Sequence, residues 1–261
     1  MKGNLNRTLS NQSPLISIVT VVYNGEAFIE ETIKSVISQS YKNYEYIVID
    51  GGSSDSTVEI IKRYQEYIDY WVSEPDNGMY DALNKGLSKA RGKYLTWLNA
   101  DDLFYPGTLE TVAIEMEKNK LDWVTGVSSI INADGRIVAS GHPVHYFQSL
   151  IKKGWYRGDV AGFIQQEGTF FSKELYNKSP LRTDLEFAGD YALWCGFAEI
   201  SELKTIKATL AMFRIHDAQK SQDIRAYFQE CETLKNPRFR FLGKLIKVIG
   251  ILSDAKLIKP L

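Results

Sequence analysis

The sequence predicts an α/β protein with a parallel, doubly wound sheet flanked by helices. Short runs of apolar and β-branched residues alternate with helical stripes through the first hundred residues, which is typical of strand–helix–strand units. The runs are almost continuously apolar, as expected for parallel strands covered on both faces. The 261 residues are 44% apolar and 24% charged, enough for one large α/β domain or for one domain with an appendage.

The first part of the chain contains four such strands and three intervening helices. The predicted strands are Leu15–Val22, Tyr46–Asp50, Tyr70–Val72 and Tyr94–Leu98, and the predicted helices are Glu26–Gln39, Ser56–Ile68 and Tyr80–Arg91. Ser56 and Glu59 fit a capping box at the start of the second helix. Gly92 directly follows the third helix, where glycine is a common helix stop.

The second part is less regular, but it shows no linker or repeat, so we expect both parts to share one sheet. A helix is predicted over 107–118, followed by a hairpin with strands Trp123–Ile131 and Arg136–Ser140. Residues 141–164 read as irregular, apart from a helix around Tyr146–Lys152. The remaining predicted elements are a strand at Gln165–Phe171, a short helix capped by Ser172, a helix from Gly189 through Glu199, and a strand at Leu203–Ile215.

These elements predict a lead-in of residues 1–13, a domain over 14–220 and a helical segment over 221–261. The domain divides into a first half, 14–102, and a second half, 103–220. Near the C-terminus one acidic residue, Asp254, accompanies seven basic residues: Lys235, Arg238, Arg240, Lys244, Lys247, Lys256 and Lys259. Six apolar residues recur there at helical spacing: Phe241, Leu242, Leu245, Ile246, Ile249 and Leu252. A basic amphipathic helix of this kind either lies on an anionic membrane or packs on its own domain.

Composition and motif searches exclude several classes of function. The net charge of −1 gives no support for a nucleic-acid partner. No P-loop, no dinucleotide-binding glycine motif and no Gly-x-Ser-x-Gly elbow occurs. Cys195 and Cys231 lack metal-ligand spacing and are expected as small buried residues. No run of 18 apolar residues occurs, so we expect a cytoplasmic protein without a membrane-spanning helix.

Acidic side chains follow two of the predicted strands, at the point where each strand ends. Asp50 ends the second strand, and Asp101 and Asp102 follow the fourth. Ligands of open α/β sheets bind beyond the carboxyl ends of the strands, and carboxylates there can hold a divalent cation shared with a phosphate. The alternative is that these residues only form turns and cap helices.

Several segments, in order, resemble the inverting glycosyltransferases of family 2, which have the GT-A fold. The resemblance runs from about Leu15 to His216. It rests on Thr20-Val-Val-Tyr-Asn24, on Asp50-Gly-Gly-Ser-Ser-Asp55, on Asn84-Lys-Gly86, on Leu98-Asn-Ala-Asp-Asp102, on Ala188-Gly-Asp190 and on Arg214-Ile-His216. The segment Glu74-Pro-Asp-Asn-Gly-Met-Tyr-Asp-Ala-Leu-Asn-Lys-Gly86 resembles the subgroup of bacterial O-antigen and exopolysaccharide clusters.

This resemblance implies a mixed, mostly parallel GT-A sheet, a nucleotide-sugar donor, most simply a UDP-sugar, and a glycan acceptor that is lipid-linked. It implies that residues 14–102 form a nucleotide-binding half and residues 103–220 an acceptor-side half. It implies Asp190 as the general base, and Asp101 with His216 as ligands of Mn²⁺ or Mg²⁺. Asp50 would accept a hydrogen bond from the nucleobase. The other residues implied in donor binding are Thr20, Val22, Tyr23, Asn24, Ser53, Asp81, Lys85, Asn99 and Ala100.

The sequence departs from the family pattern at two acidic positions. Gly51 stands in place of the second acid of the Asp-Asp-Gly-Ser-x-Asp loop, and Asn99 in place of the first acid of the Asp-x-Asp metal motif. Asn99 brings no charge, so metal affinity is expected to be lower. Two other classes stay open: a homologue without turnover that binds sugar nucleotide or acts as a scaffold, and a nucleotidyl- or sugar-phosphate-processing enzyme with a similar pocket.

Overall fold

The computed structural model describes residues 14–217, 219, 222–235, 237 and 240–254. The strands of this part are β1 (Ile16–Val22), β2 (Tyr44–Asp50), β3 (Tyr70–Ser73), β4 (Tyr94–Trp97), β5 (Leu103–Phe104), β6 (Trp123–Ile131), β7 (Ile137–Ser140), β8 (Thr169–Ser172) and β9 (Lys204–Arg214). The helices are α1 (Ile29–Ile37), α2 (Thr57–Arg63), α3 (Met79–Lys89), α4 (Thr108–Asn119), α5 (Gln148–Lys152), α6 (Lys173–Lys178), α7 (Gly189–Ile200), α8 (Ile224–Leu234) and α9 (Gly243–Asp254). A 3₁₀ turn at Arg240–Leu242 leads into α9.

All nine strands form one mixed sheet in the order β3-β2-β1-β4-β8-β6-β9-β5, with β7 paired to β6. Strands β3, β2, β1 and β4 are parallel to one another. Strand β8 runs antiparallel to both β4 and β6, whereas β6 and β9 are parallel. The predicted α/β class and the expectation of one shared sheet are therefore confirmed.

The apolar runs form strands because helices cover both faces of the sheet. Every residue of β1 and β2 is buried. One face packs against α3 and α7, with Trp194 stacked on Trp97 and on Trp123 at ring-centroid distances of 5.6 Å. The other face packs against α1 and α4. Trp97 and Trp194 are core residues.

Several predicted boundaries shift because of contacts between distant segments. The capping box at Ser56 is wrong: its side chain makes no cap, and Asp55 instead accepts a hydrogen bond from the Thr57 N–H at 3.0 Å. The Ser56 N–H donates to the carboxylate of Glu26, which lies in the turn between β1 and α1. That turn therefore helps to begin α2. The predicted cap at Ser172 is confirmed, since its hydroxyl accepts from the Leu175 N–H at 3.1 Å.

The segment 141–164 contains α5 and otherwise irregular backbone that packs on the sheet. Trp155 and Tyr156 are only 7% and 4% exposed, so they belong to the core and offer no open surface for stacking on a sugar. Cys195 and Cys231 are free and buried, as expected. Among the residues that the structure describes, no helix is long and apolar enough to cross a bilayer.

Candidate active site

The parallel register places the loops after β1, β2 and β4 at one edge of the sheet. Val22 pairs with Asp50, so the two loops that follow them meet directly. The Asn24 N–H donates to the Ser53 hydroxyl at 2.7 Å, and the Ser54 N–H donates to the Asn24 side chain at 2.9 Å. Asn24 has a φ of 49°, a conformation that Asn tolerates better than most residues. These bonds join the first two loops into one surface.

Asp50 holds the loop after β2 in its conformation. Its side chain is fully buried and accepts hydrogen bonds from the Gly52 and Ser53 N–H groups at 3.1 and 3.0 Å. The hydroxyls of Ser53 and Ser73 donate to it at 2.5 and 2.6 Å. Four donors occupy a carboxylate that offers about four acceptor positions. A contact from Asp50 to a nucleobase therefore requires one of these donors to turn away.

The N-terminal turns of α3 hold the turn 74–78 beside this loop. Asp81 accepts from the Asn77 N–H at 3.0 Å, which lowers the pKa of Asp81. The Lys85 ammonium lies 3.1 Å from the Glu74 carboxylate and 3.6 Å from that of Asp81. Asp81 and Lys85, both predicted donor-binding residues, thus fix the shape of the turn before α3.

The two adjacent acids after β4 point in different directions. The Asp101 carboxylate, 29% exposed, lies 3.0 Å from Nε2 of His216. Asp102 faces inward, and its Oδ1 accepts from the Arg214 N–H at 3.0 Å. Burial, with the charges of Asp101 and Glu167, raises the pKa of Asp102 well above its usual range. Asp101 is available to a ligand, whereas Asp102 has the structural role of a turn residue.

Arg214 brings His216 to Asp101, which lies 115 positions earlier in the sequence. Its guanidinium is fully buried, donates to the Asp101 carbonyl at 2.8 Å and pairs with Glu31 at 2.6 Å. It also lies over the Phe28 ring, 4.8 Å from the centroid. The sequence singled out the segment 214–216 without assigning a role to Arg214, which we now identify as the residue that positions the metal-ligand candidates.

Asp190 lies in the first turn of α7, in a partly open position at the same side of the molecule. Burial raises its pKa to about 6, helped by the charge of Glu230. Glu230 accepts from the N–H groups of Phe187 and Ala188 at 2.7 and 2.6 Å, which holds the chain entering α7. A carboxyl with this pKa is mostly ionised at neutral pH and is a better proton acceptor than an ordinary aspartate.

Tyr80 of α3 connects the first half of the domain, residues 14–102, to the position of Asp190. Its hydroxyl donates to the Phe187 carbonyl at 2.8 Å. Its ring lies where a side chain on Gly189 would be, since a Cβ there would come within 2.6 Å of it. Gly189 is therefore required for this close approach.

Glu167 is a buried acid that the sequence pattern did not identify, because the segment around it reads as a strand. It lies in the loop before β8, only 3% exposed, and Gln165 donates to it at 3.3 Å. Burial raises its pKa, and the charges of Asp190 and Asp101 contribute to the shift. Glu167 therefore lies within electrostatic range of both.

The residues at this edge fit a cation that is shared with a phosphate. In the described part of the chain, no group of three or more His, Cys, Asp and Glu side chains is arranged to hold a metal ion. Asp101 and His216 supply two donor atoms. Oδ1 of Asn99, in the same turn, is buried without a hydrogen-bond partner among the described residues. Mg²⁺ and Mn²⁺ are commonly held by one or two carboxylates with substrate phosphates completing the shell.

The remaining predicted donor-binding residues differ in how accessible they are. Tyr23 is 68% exposed at the end of β1 and can contact a ligand directly. Thr20 is fully buried, and its hydroxyl accepts from Tyr46. Val22 is 6% exposed, and the Ala100 carbonyl is already bonded by a threonine hydroxyl at 2.8 Å. The side chains of Thr20 and Val22 therefore pack in the interior beneath the loops and are not exposed to a ligand.

Comparisons with known proteins identify the family and the fold of this chain. Residues 17–180 match the family model described as glycosyl transferase family 2. A protein of Rickettsia typhi named as an uncharacterized glycosyltransferase is 31% identical over 243 residues, which cover 90% of this chain and 74% of that protein.

Two solved structures share the fold. The structure of S. aureus TarS 1-349 in complex with UDP-GlcNAc has a TM-score of 0.66 at 15% identity, covering 92% of this chain and 70% of that one. The mannosyltransferase PcManGT from Pyrobaculum calidifontis, in complex with GDP-Man and Mn²⁺, has a TM-score of 0.61 at 17% identity, covering 96% and 77%. The GT-A architecture expected from the sequence is therefore confirmed.

Proposed function

The chain belongs to glycosyl transferase family 2, and from this premise we propose that it transfers a sugar from a UDP-sugar to a hydroxyl of an acceptor glycan, with inversion at the anomeric carbon. The observation that supports the proposal is the contact of Asp101 with His216 at the end of β4, with Glu167 within electrostatic range of both Asp101 and Asp190. The nucleotide sugars in the two related structures support a donor of this class.

In the proposed reaction Asp190 is the general base. The acceptor oxygen attacks the anomeric carbon while the bond from that carbon to the diphosphate oxygen breaks. The hydroxyl proton passes to the Asp190 carboxylate, and the nucleoside diphosphate leaves with the bonding electrons. Because the pKa of Asp190 is raised to about 6, the carboxylate is ionised near neutral pH and still basic enough to take the proton.

Asp101 and His216 would hold Mn²⁺ or Mg²⁺ together with the donor diphosphate. Such a cation stabilises the negative charge that develops on the leaving diphosphate. The protein's own part is to fix the two ligands, which it does through Arg214. Asn99 contributes a neutral oxygen where the family pattern has an acid, so we expect donor phosphates to supply much of the coordination.

We propose a lipid-linked acceptor, as in bacterial surface polysaccharide synthesis, presented at a membrane by α9. One face of α9 packs on the acceptor-side half. Gly243 lies against the Val160 carbonyl, and a Cβ at Gly250 would lie 2.8 Å from the His145 carbonyl oxygen. The His145 N–H donates to the Gly250 carbonyl at 3.0 Å, and Ile246 packs on the core beside these glycines. The alternative of packing on its own domain is thus correct for this face.

On the opposite face of α9 and in the turn before it, several apolar side chains are exposed. Phe241, Leu245 and Val248 are 77%, 57% and 50% exposed. They follow one another at helical spacing, and the exposed Lys244 and Lys247 flank them. No acidic residue occurs over 241–252, so the charge complements an anionic lipid surface. The 12 residues of α9 span about 18 Å, which suits a helix lying in the interface and not across it. Arg238, Lys256 and Lys259 lie outside the described residues.

The substitution of Asn99 for an acid favours a second candidate, a homologue that binds sugar nucleotide without turnover. Calorimetry with UDP, with and without Mn²⁺, followed by assays for nucleoside diphosphate release from UDP-sugars, separates the two. The proposed enzyme should bind UDP more tightly with Mn²⁺ than without it. It should also release UDP from a UDP-sugar when it transfers the sugar. Metal-dependent binding with no UDP release from any donor and acceptor pair would favour the binding protein. Pyrophosphate release would indicate a nucleotidyl-processing enzyme.

A further inference from the structure

In the proposed reaction the nucleobase of the donor would need a hydrogen-bond acceptor in the loop after β2. Asp50 does not supply a free one. Its carboxylate is fully buried and already accepts from four donors of its own loop and of Ser73. Releasing any of them would leave a loop donor without its partner, which is costly in a buried position. A ligand at this edge must therefore find its acceptor on another side chain.

Asp76 places its carboxylate in the space that a side chain at residue 51 would occupy. A Cβ built on Gly51 would lie 2.4 Å from Oδ2 and 3.1 Å from Cγ of Asp76, and the three nearest heavy atoms all belong to that carboxylate. Oδ1 of Asp76 accepts from the Gly78 N–H at 2.7 Å. Within the described residues Oδ2 accepts no hydrogen bond, and the residue is partly exposed.

The position of Asp76 also suits the length of a nucleotide. It lies over Gly51, which follows β2, whereas the metal-ligand candidate Asp101 follows β4. With β1 between them, β2 and β4 are two strand spacings apart, or about 10 Å. This separation matches a nucleoside diphosphate that places its phosphates at Asp101 and its base at the loop after β2.

We propose that Asp76 is the residue that selects the donor nucleobase, by accepting a hydrogen bond from a ring N–H. Uracil has such a donor at N3 and guanine at N1, whereas cytosine and adenine present an unprotonated ring nitrogen at the pairing edge. A carboxylate facing that nitrogen is left unpaired and repelled, which disfavours those bases. The inference rests on the proposed function, because it assumes a nucleotide-sugar donor.

The first test is Asp76→Asn, which replaces an acceptor with an amide that can also donate. We expect calorimetric affinity for UDP with Mn²⁺ to fall at least tenfold, and the ratio of CDP to UDP affinity to rise. A merely structural role for Asp76 would weaken both nucleotides equally. Asp134→Asn, an exposed aspartate in the β6–β7 turn, serves as the matched control and should leave both affinities unchanged.

The second test moves the carboxylate back to residue 51. Asp76→Ala should lose UDP affinity at least tenfold, and Gly51→Asp in the Asp76→Ala background should recover most of it. Gly51 does not have a left-handed φ, and the atoms crowding its Cβ all belong to Asp76, so the double variant has room for the new side chain. Gly51→Asp alone should bind poorly, because two carboxylates then compete for one space.

The outcomes separate the inference from the proposed function. A wild-type protein that binds UDP with metal, together with Asp76→Ala and Asp76→Asn variants of equal affinity and selectivity, would overturn the role of Asp76 alone. A failure of the double variant to recover, with thermal unfolding showing it folded, would also count against it. A wild-type protein that binds no nucleotide would refute the proposed function and the assignment of Asp76 with it.

Discussion

Replacing Asp190 with asparagine should give a protein that cannot transfer sugar yet is more stable than the wild type at neutral pH. Burial raises the pKa of this carboxyl from 3.8 to about 6, so the folded state disfavours the ionised form. At roughly 1.4 kcal/mol for each pKa unit, the cost is about 3 kcal/mol. The cost is absent below pH 3.8, grows between pH 3.8 and 6, and is complete above pH 6. Asparagine is never ionised and avoids it.

Unfolding of both proteins should be followed from pH 4 to pH 8 in EDTA, so that no metal contributes. We expect the variant to gain about 3 kcal/mol at pH 7.5, or about 6–12 °C in Tm for a chain of this size, and to gain little near pH 4. Transfer should fall by about 10²- to 10⁴-fold, the usual contribution of a general base. The wild-type rate should rise with pH through about 6.

Asp184→Asn is a suitable control, because Asp184 is exposed and paired with Arg182, which lowers its pKa. That variant should show neither the gain in stability nor the loss of transfer. An Asp190→Asn protein with unchanged activity would remove Asp190 from the role of base. A variant without a pH-dependent gain in stability would refute the account of its buried charge.

Two further predictions concern the metal and the membrane. Asp101→Ala should weaken UDP binding at least tenfold with Mn²⁺ and little in EDTA, because it removes a cation ligand; equal calorimetric losses in both buffers would contradict this. Phe241→Ser with Leu245→Ser should reduce sedimentation with phosphatidylglycerol vesicles at least tenfold, since both exposed side chains leave the apolar face, while Ile137→Ser on the exposed strand β7 should not. Unchanged sedimentation, or loss of a self-associated form without any vesicle binding, would indicate another role for this face.

The sequence predicted the strands of residues 14–102 well because each strand is marked by its own run of apolar residues. Buried parallel strands are recognisable as apolar runs, and parallel register then places their carboxyl ends at one edge. Asp50 and Asp101 could be located in this way. Even there, the pattern could not tell which of two adjacent acids turns toward solvent, because the inward orientation of Asp102 depends on the Arg214 N–H, 112 residues away.

What the sequence could not predict depends on contacts between distant segments. Glu167 lies near Asp101 only because the loop before β8 runs beside the end of β4, where Gln166 donates to the Trp97 carbonyl at 2.6 Å. Strand β5 has two residues and forms through pairing with β9. The acid that is missing at residue 51 is supplied by Asp76, 25 positions later, and no linear motif contains this exchange.

Asn99 also stands where the family pattern has an acid, but among the described residues no other acid takes the place of that carboxylate. The contacts of the Asn99 side chain explain why an amide is favourable at this position. Its Nδ2 donates to Gln166 at 3.1 Å and to the buried Asp102 carboxyl at 3.4 Å. Asn99→Asp would place an acceptor against two acceptors, beside acids that are already difficult to ionise. Without metal we expect this variant to lose about 1–3 kcal/mol of stability, whereas Mn²⁺ should raise its Tm more than that of the wild type. Equal Tm values without metal would show that the amide contacts contribute nothing, and equal shifts with Mn²⁺ would place the cation away from this turn.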